Sequence, residues 1–216
     1  MSWTHSESGS WYHPSATANQ CIIAYHGLGA NAQDLIPLAE QLAQQYGQDS
    51  TCILCPQAPT RQVDLFQAAV PAWYNVERIK KETLMDEKGL AKSYQGVQTW
   101  LAKYLPAVSP ERFMVFGFSQ GAVMALHHAW HKQLPFVTML SGYLPALAWP
   151  NHPPPKVLWQ HGRDDTVLPL AWAQEGRTQL VGQGCALTWQ VYDHGHFVSP
   201  EQCLAMNAWW LERVPV

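Results

Sequence analysis

The feature that most constrains this chain is an apolar strand-like run that turns sharply into an apolar helix. The strand is expected over Arg112 to Phe116, leads into Gly117-Phe118-Ser119-Gln120-Gly121, and is followed by Ala122-Val123-Met124-Ala125-Leu126. The glycines on either side of Ser119 let the backbone reverse where a neighbouring Cβ would clash. A strand, tight turn and buried helix in that order belong to a sheet of largely parallel strands with helices on both faces.

The rest of the chain repeats the alternation. Apolar runs at Cys21–Tyr25, Thr51–Cys55, Phe136–Leu140, Lys156–Gln160 and Ala186–Tyr192 read as strands. Helical patterns span about Asn31–Tyr46, with Asn31 as N-cap, Ser93–Leu105, Gly121–Lys132, Leu170–Val181 and Glu201–Arg213. Pro56 to Asn75 reads as irregular, Glu77 to Lys88 as a solvated charged segment, and Pro145 to Pro155 as a proline-rich connection. No repeat, linker or room for a large cap domain is visible. The expectation is one α/β domain over residues 1–216, with 1–20 a polar N-terminal segment.

Composition narrows the function. Charged residues make up 13% of the chain, net charge is −3, and the only adjacent basic pair of note is Lys80-Lys81. A nucleic-acid partner needs a concentrated basic face, so none is expected. Met1 to Gln20 lacks the basic start and apolar run of a signal peptide, and no stretch nears the roughly 18 to 20 apolar residues of a membrane span. A cytoplasmic protein is expected. The five cysteines are odd in number, and Cys52 and Cys55 lie three apart on one strand, so they should point to opposite faces as buried free thiols.

A serine on a strand-to-helix turn is exposed at the carboxyl end of a sheet with a helix N-terminus aimed at it. Its hydroxyl is a weak nucleophile that needs an oriented base. Two later strands end in the required groups: Lys156–Gln160 in Asp164 and Asp165, and Ala186–Tyr192 in His194 and His196. Order and strand-end position suit a nucleophile–acid–base triad, with the choice within each pair open. The Gln120 amide and the loop His26-Gly27-Leu28-Gly29 could supply donors to an oxyanion.

Together HGLG at 26–29, AWYN at 72–75, GFSQGA at 117–122, SGYLP at 141–145, HGRDDTVLP at 161–169 and HGHFVSPE at 194–201 resemble the acyl-protein thioesterase and carboxylesterase family. That family is the small, lidless branch of the α/β-hydrolases, and the resemblance runs over about residues 21–212. It implies an α/β-hydrolase fold, Ser119 as nucleophile, Asp165 as acid, His196 as base, and the amides of Leu28 and Gln120 as oxyanion donors. Arg163, Leu168 and Phe197 depart from the usual pattern, which bears on substrate preference rather than on the triad.

Trp73, in the AWYN segment, with Leu65 and Phe66 before it, is the candidate acyl-binding group. His127 and His131 are four apart on a helix; two ligands without a third read as a helix face, so no metal is expected, and no cofactor. Trp209 and Trp210 read as sheet-packing residues, with a homodimer contact possible if one is exposed. The expected activity is hydrolysis of carboxylic esters of short to medium acyl chains. Thioester or lysophospholipid cleavage comes next, and a catalytically silent binding protein stands as the reading of another class. A dienelactone hydrolase shares the fold, but typically has Cys where this chain has Ser119.

Overall fold

A computed structural model describes residues 1–14, 17–77 and 86–214. Among these residues ten strands and five α-helices follow in the order β1 (Thr4–Ser6), β2 (Gly9–Tyr12), β3 (Gln20–Tyr25), α1 (Ile36–Tyr46), β4 (Thr51–Pro56), β5 (Thr60–Val63), β6 (Ala68–Pro71), α2 (Glu87–Leu101), β7 (Phe113–Phe118), α3 (Gln120–His131), β8 (Phe136–Leu140), β9 (Lys156–Gly162), α4 (Leu170–Gly182), β10 (Leu187–Tyr192) and α5 (Pro200–Leu211). Eight strands form one sheet in the order β1-β2-β4-β3-β7-β8-β9-β10. From β4 to β10 every neighbouring pair is parallel, and β1 and β2 close one edge as an antiparallel hairpin. This is the mostly parallel sheet with flanking helices of an α/β-hydrolase, and the described residues include no large cap domain.

The chain winds outward from β3 to β4 on one side, then from β7 through β10 on the other. The reversal lies between β3 and β7, and at such a switch point the loops at the strands' carboxyl ends diverge and leave a crevice. Those two loops are His26–Gly29 and the Ser119 turn.

Burial is continuous along the central strands because both faces are covered, and successive side chains go to opposite faces. Cys21, Ile23 and Tyr25 of β3 pack with Val97 of α2, Leu126 of α3 and Leu180 of α4, whereas Ile22 and Ala24 pack with Leu42 of α1 and Met206 of α5. Cys52 and Cys55 fall on these opposite faces, and the cysteines are free thiols, with Cys203 alone half-exposed. Trp209 and Trp210 are both buried, so neither offers an exposed dimer contact.

Several expectations need correction. Helix α1 starts at Ile36, not near Asn31. The Asn31 side chain and amide both bind the Asp34 carboxylate, at 3.0 and 2.9 Å, and Gln33 N–H donates to Asn31 Oδ1 at 2.8 Å. That side-chain turn competes with helix, and Pro37 then occupies the first turn, the one helical place that tolerates it. Helix α2 begins at Glu87 rather than Ser93, capped by Asp86, whose side chain accepts the Gly89 N–H at 2.8 Å. Most of the expected solvated segment Glu77–Lys88 lies outside the described residues. The stretch expected to be irregular contains the β5–β6 hairpin, and the polar N-terminal segment supplies β1 and β2. Short edge strands such as THS and TRQV carry too little apolar alternation to be recognised from sequence.

Candidate active site

The site is assembled where β3, β7, β9 and β10 end. Ser119 leaves β7 with φ +55° and ψ −120°, a conformation rarely held by a non-glycine residue, and it directly precedes α3. The flanking glycines are required by contact as well as by curvature. A Cβ on Gly121 would stand 2.1 Å from the Tyr25 carbonyl oxygen, and one on Gly117 2.1 Å from that of Gly121. The turn is thus pressed onto the end of β3, and the Ser119 N–H is tied to the Leu140 carbonyl at 2.8 Å. Strain held by such surroundings is a mark of functional turns.

The acid and base loops choose between their paired candidates. His196 Nε2 lies 3.0 Å from Ser119 Oγ, and its Nδ1 lies 2.6 Å from Asp165 Oδ2. The carboxylate can only accept, so Nδ1 carries the proton and Nε2 turns a lone pair toward the serine. The other carboxylate oxygen, Oδ1, accepts the N–H groups of Val167 and Leu168 at 2.9 and 2.7 Å. Burial alone would raise the Asp165 carboxyl, but its bonds to His196 and the Leu168 amide outweigh this and hold it below the usual value. Asp164 is exposed, and its amide donates to the His194 carbonyl. His194 turns Nδ1 onto the Gly195 carbonyl at 2.8 Å. Neither joins the line to Ser119.

Leu28 and Gln120 stand at the ends of β3 and β7, and among the described residues neither backbone N–H has a hydrogen-bond acceptor. Their two loops are cross-tied. The Gln120 side chain accepts the Trp73 N–H at 2.8 Å and donates to the Tyr74 carbonyl at 2.9 Å, and the Trp73 indole donates to the His26 carbonyl at 2.8 Å. His26 Nε2 accepts the Ala58 N–H at 3.0 Å, so the ring is neutral with its proton on Nδ1, and burial lowers its pKa accordingly.

This corrects the expectation for Trp73. Its side chain is fully buried, bracing the His26 loop rather than lining an open wall. Leu65 is half-buried against the same core, and Phe66, 50% exposed, sits at the hairpin tip beside Gly29. An open cleft lies elsewhere among the described residues. A volume of about 470 Å³ lies against His196, Gly27, Phe118, Leu35, Leu38 and Cys203. Phe118 also packs on the His196 ring, with centroids 4.8 Å apart. From sequence, Leu35, Leu38, Phe118 and Cys203 are not brought together beside His196, because they come from α1 and its approach, β7 and α5, and no local spacing links them.

His127 and His131 lie ring against ring, centroids 4.1 Å apart, and among the described residues no three His, Cys, Asp or Glu side chains converge as metal ligands. Nor is any described helix long and apolar enough to cross a membrane.

Comparison with known proteins supplies the family. The model of the phospholipase/carboxylesterase family matches residues 11–206. The chain belongs to that family. Within and around it, an acyl-protein thioesterase 1 homologue from Dictyostelium discoideum is 26% identical, covering 92% of each chain. A carboxylesterase of Oryza sativa whose name marks it as inactive is also 26% identical, over 84% of this chain and 79% of its own. The crystal structure of Zea mays acyl-protein thioesterase 2 superposes with a TM-score of 0.81 at 25% identity, covering 95% of this chain and 98% of that one. For a member of the phospholipase/carboxylesterase family, a strained serine in line with a histidine and a carboxylate is the feature with chemical consequence.

Proposed function

We propose that this protein is a serine hydrolase that cleaves carboxylic esters of short to medium acyl chains through an acyl-enzyme. One observation carries the reading: the continuous line Ser119 Oγ–His196–Asp165, with a lone pair of His196 Nε2 facing the hydroxyl. His196 takes the Ser119 proton as Oγ attacks the substrate carbonyl, and Asp165 stabilises the imidazolium that forms. The amides of Leu28 and Gln120 hold the oxyanion, and Leu65 and Phe66 lie on the acyl side. Water activated by His196 then releases the acid. No metal or organic cofactor enters these steps.

Thioester cleavage is the second reading, favoured by the names of the Dictyostelium and maize relatives. Lysophospholipid cleavage would use the same steps. A silent binding role is disfavoured by the intact hydrogen-bond line, although one relative bears an inactive name. The five free thiols suit a reducing, cytoplasmic setting.

The test is a chain-length panel of nitrophenyl esters beside acyl thioesters, run on wild type and Ser119→Ala. Loss of the nucleophile should lower kcat by up to roughly a millionfold and abolish labelling by a fluorophosphonate. Near wild-type turnover in Ser119→Ala would refute the mechanism. A sharp optimum at long acyl thioesters would make the second reading the first.

A further inference from the structure

The cleft of about 470 Å³ raises a question that the triad alone does not answer: which half of the substrate enters it. Its volume falls within the range of small-molecule clefts, roughly 300–1,000 Å³. Leu35 and Leu38 on the α1 side, Phe118, and Val198 on the approach to α5 make it largely apolar, while the polar side chains of Asp34 and Gln41 also line it. Leu65 and Phe66 take no part in its lining. The reactive serine therefore has two distinct flanks: the hairpin flank with Phe66 beside Gly29, and the cleft flank on which His196 itself forms part of the wall.

The chemistry assigns the flanks. When the tetrahedral intermediate collapses, the Oγ–carbon bond stays, the bond from carbon to the leaving oxygen or sulfur breaks, and its electron pair remains on the departing atom. That atom must take the proton His196 removed from Ser119, so it has to lie within hydrogen-bond reach of Nε2. The group attached to it then extends along the flank that His196 lines. We infer that the cleft between α1 and α5 is the leaving-group subsite, shaped for an alcohol or thiol with an apolar body. This deepens the hydrolase reading and rests on it. The preference set here is for the alcohol or thiol half of the substrate, independent of acyl length.

Cys203 makes the assignment testable without repacking the core. It is the half-exposed cysteine of the cleft wall, whereas Cys21, Cys52, Cys55 and Cys185 are buried. A hexyl methanethiosulfonate reagent transfers its hexylthio group to the Cys203 thiolate. A sulfur–sulfur bond forms, methanesulfinate leaves with the electron pair, and dithiothreitol reverses the change.

Two ester series are compared: one acyl group with methyl, propyl, hexyl and benzyl alcohols, and one alcohol with lengthening acyl chains. Unlabelled protein should gain about fourfold in kcat/KM per methylene along the alcohol series while the cleft fills. The hexylthio label should cut kcat/KM at least tenfold for hexyl and benzyl esters and leave the methyl ester and the acyl-chain profile almost unchanged. Dithiothreitol should restore activity, and Cys203→Ala should be insensitive to the reagent. A flat alcohol series would overturn the assignment, as would a label that reshapes the acyl profile instead, since the cleft would then hold the acyl chain. Failure of the hydrolase reading looks different: turnover of neither series would depend on Ser119.

Discussion

Among the described residues a cleft lies near each end of helix α3, and one of them has the makings of a reaction centre. Its C-terminal half presents His127, His128, Trp130 and His131, and beside it a larger cleft of about 560 Å³ is walled by Trp130, Trp149 and a run of prolines. Trp130 stacks on Trp149 with centroids 5.0 Å apart, and its indole donates to the His152 carbonyl. Titratable rings are abundant there, yet packing keeps them neutral: burial pushes His128 down to about 3 and His127 down to about 4. His128 spends its Nδ1 on the Tyr25 hydroxyl, and among the described residues His127 Nδ1 is buried without a hydrogen-bond partner. At the N-terminal end one histidine faces a carboxylate on one side and a strained serine on the other. Volume and aromatic content do not distinguish the two ends. The convergence of separate strand ends on one ring does.

The comparison is broken most severely at the carboxylate. Asp165→Asn should leave the fold in place but lower kcat on a nitrophenyl ester by about ten-thousandfold, because the amide no longer holds His196 in the tautomer that accepts the Ser119 proton. A loss below tenfold would mean that the acid loop contributes little.

A smaller effect should follow from Trp73→Phe, which keeps an aromatic ring and deletes the one N–H that ties the His26 carbonyl. An oxyanion donor removed outright costs roughly a hundredfold to a thousandfold. A displaced one should cost about ten- to a hundredfold in kcat, with KM little changed. Thionoesters rely less on oxyanion donors and should lose less than the matching esters. An equal loss on both would assign Trp73 a purely structural role.

The smallest effect on turnover is expected at the opposite end. His127→Phe should keep kcat within about twofold, since no step reaches that ring. Its effect lies in stability against pH. The folded value near 4 is below the unfolded value near 6.5, so the unfolded state binds more protons between them. Stability contributed by neutral His127 is present above about pH 6.5 and is lost as pH falls toward 4. The Tm of His127→Phe should therefore drop less between pH 7 and pH 5 than that of wild type, measured by thermal denaturation at both pH values. A parallel drop in both proteins would show that other buried histidines, such as His26 and His161, dominate the acid response.

Much of the architecture was legible along the chain. β8 was anticipated to the residue, and β3, β4 and β9 to within two residues at either end, because strands buried on both faces need continuous apolar runs that polar loops interrupt. The edge hairpin and β5–β6 were not legible, since strands open to solvent on a side need no such run. The start of α1 was missed because Asn31 and Asp34 satisfy each other locally, a competition that periodicity does not register.

The residues of the site divide the same way. Ser119 was specified by its own pentapeptide, because the turn's geometry is local and its glycines are demanded by contacts of the turn itself and of the adjoining strand. Asp165 over Asp164, and His196 over His194, were choices between neighbours that the spacing left open. The tertiary structure separates them through Gly162, where a Cβ would meet the His194 and Gly195 carbonyl oxygens at 2.4 Å. The acid and base loops approach closely there and are also tied by the Asp164 amide on the His194 carbonyl, and one member of each pair faces inward. Trp73 was placed in a pocket from sequence, whereas the fold buries it as a brace. The cleft beside His196 could not be read at all, because its walls come from α1, β7 and α5, and only folding makes them neighbours. Sequence by itself determined the strained turn at Ser119 through local backbone sterics. Which side chains it meets, and the cleft beside them, depended on packing between segments far apart in the chain.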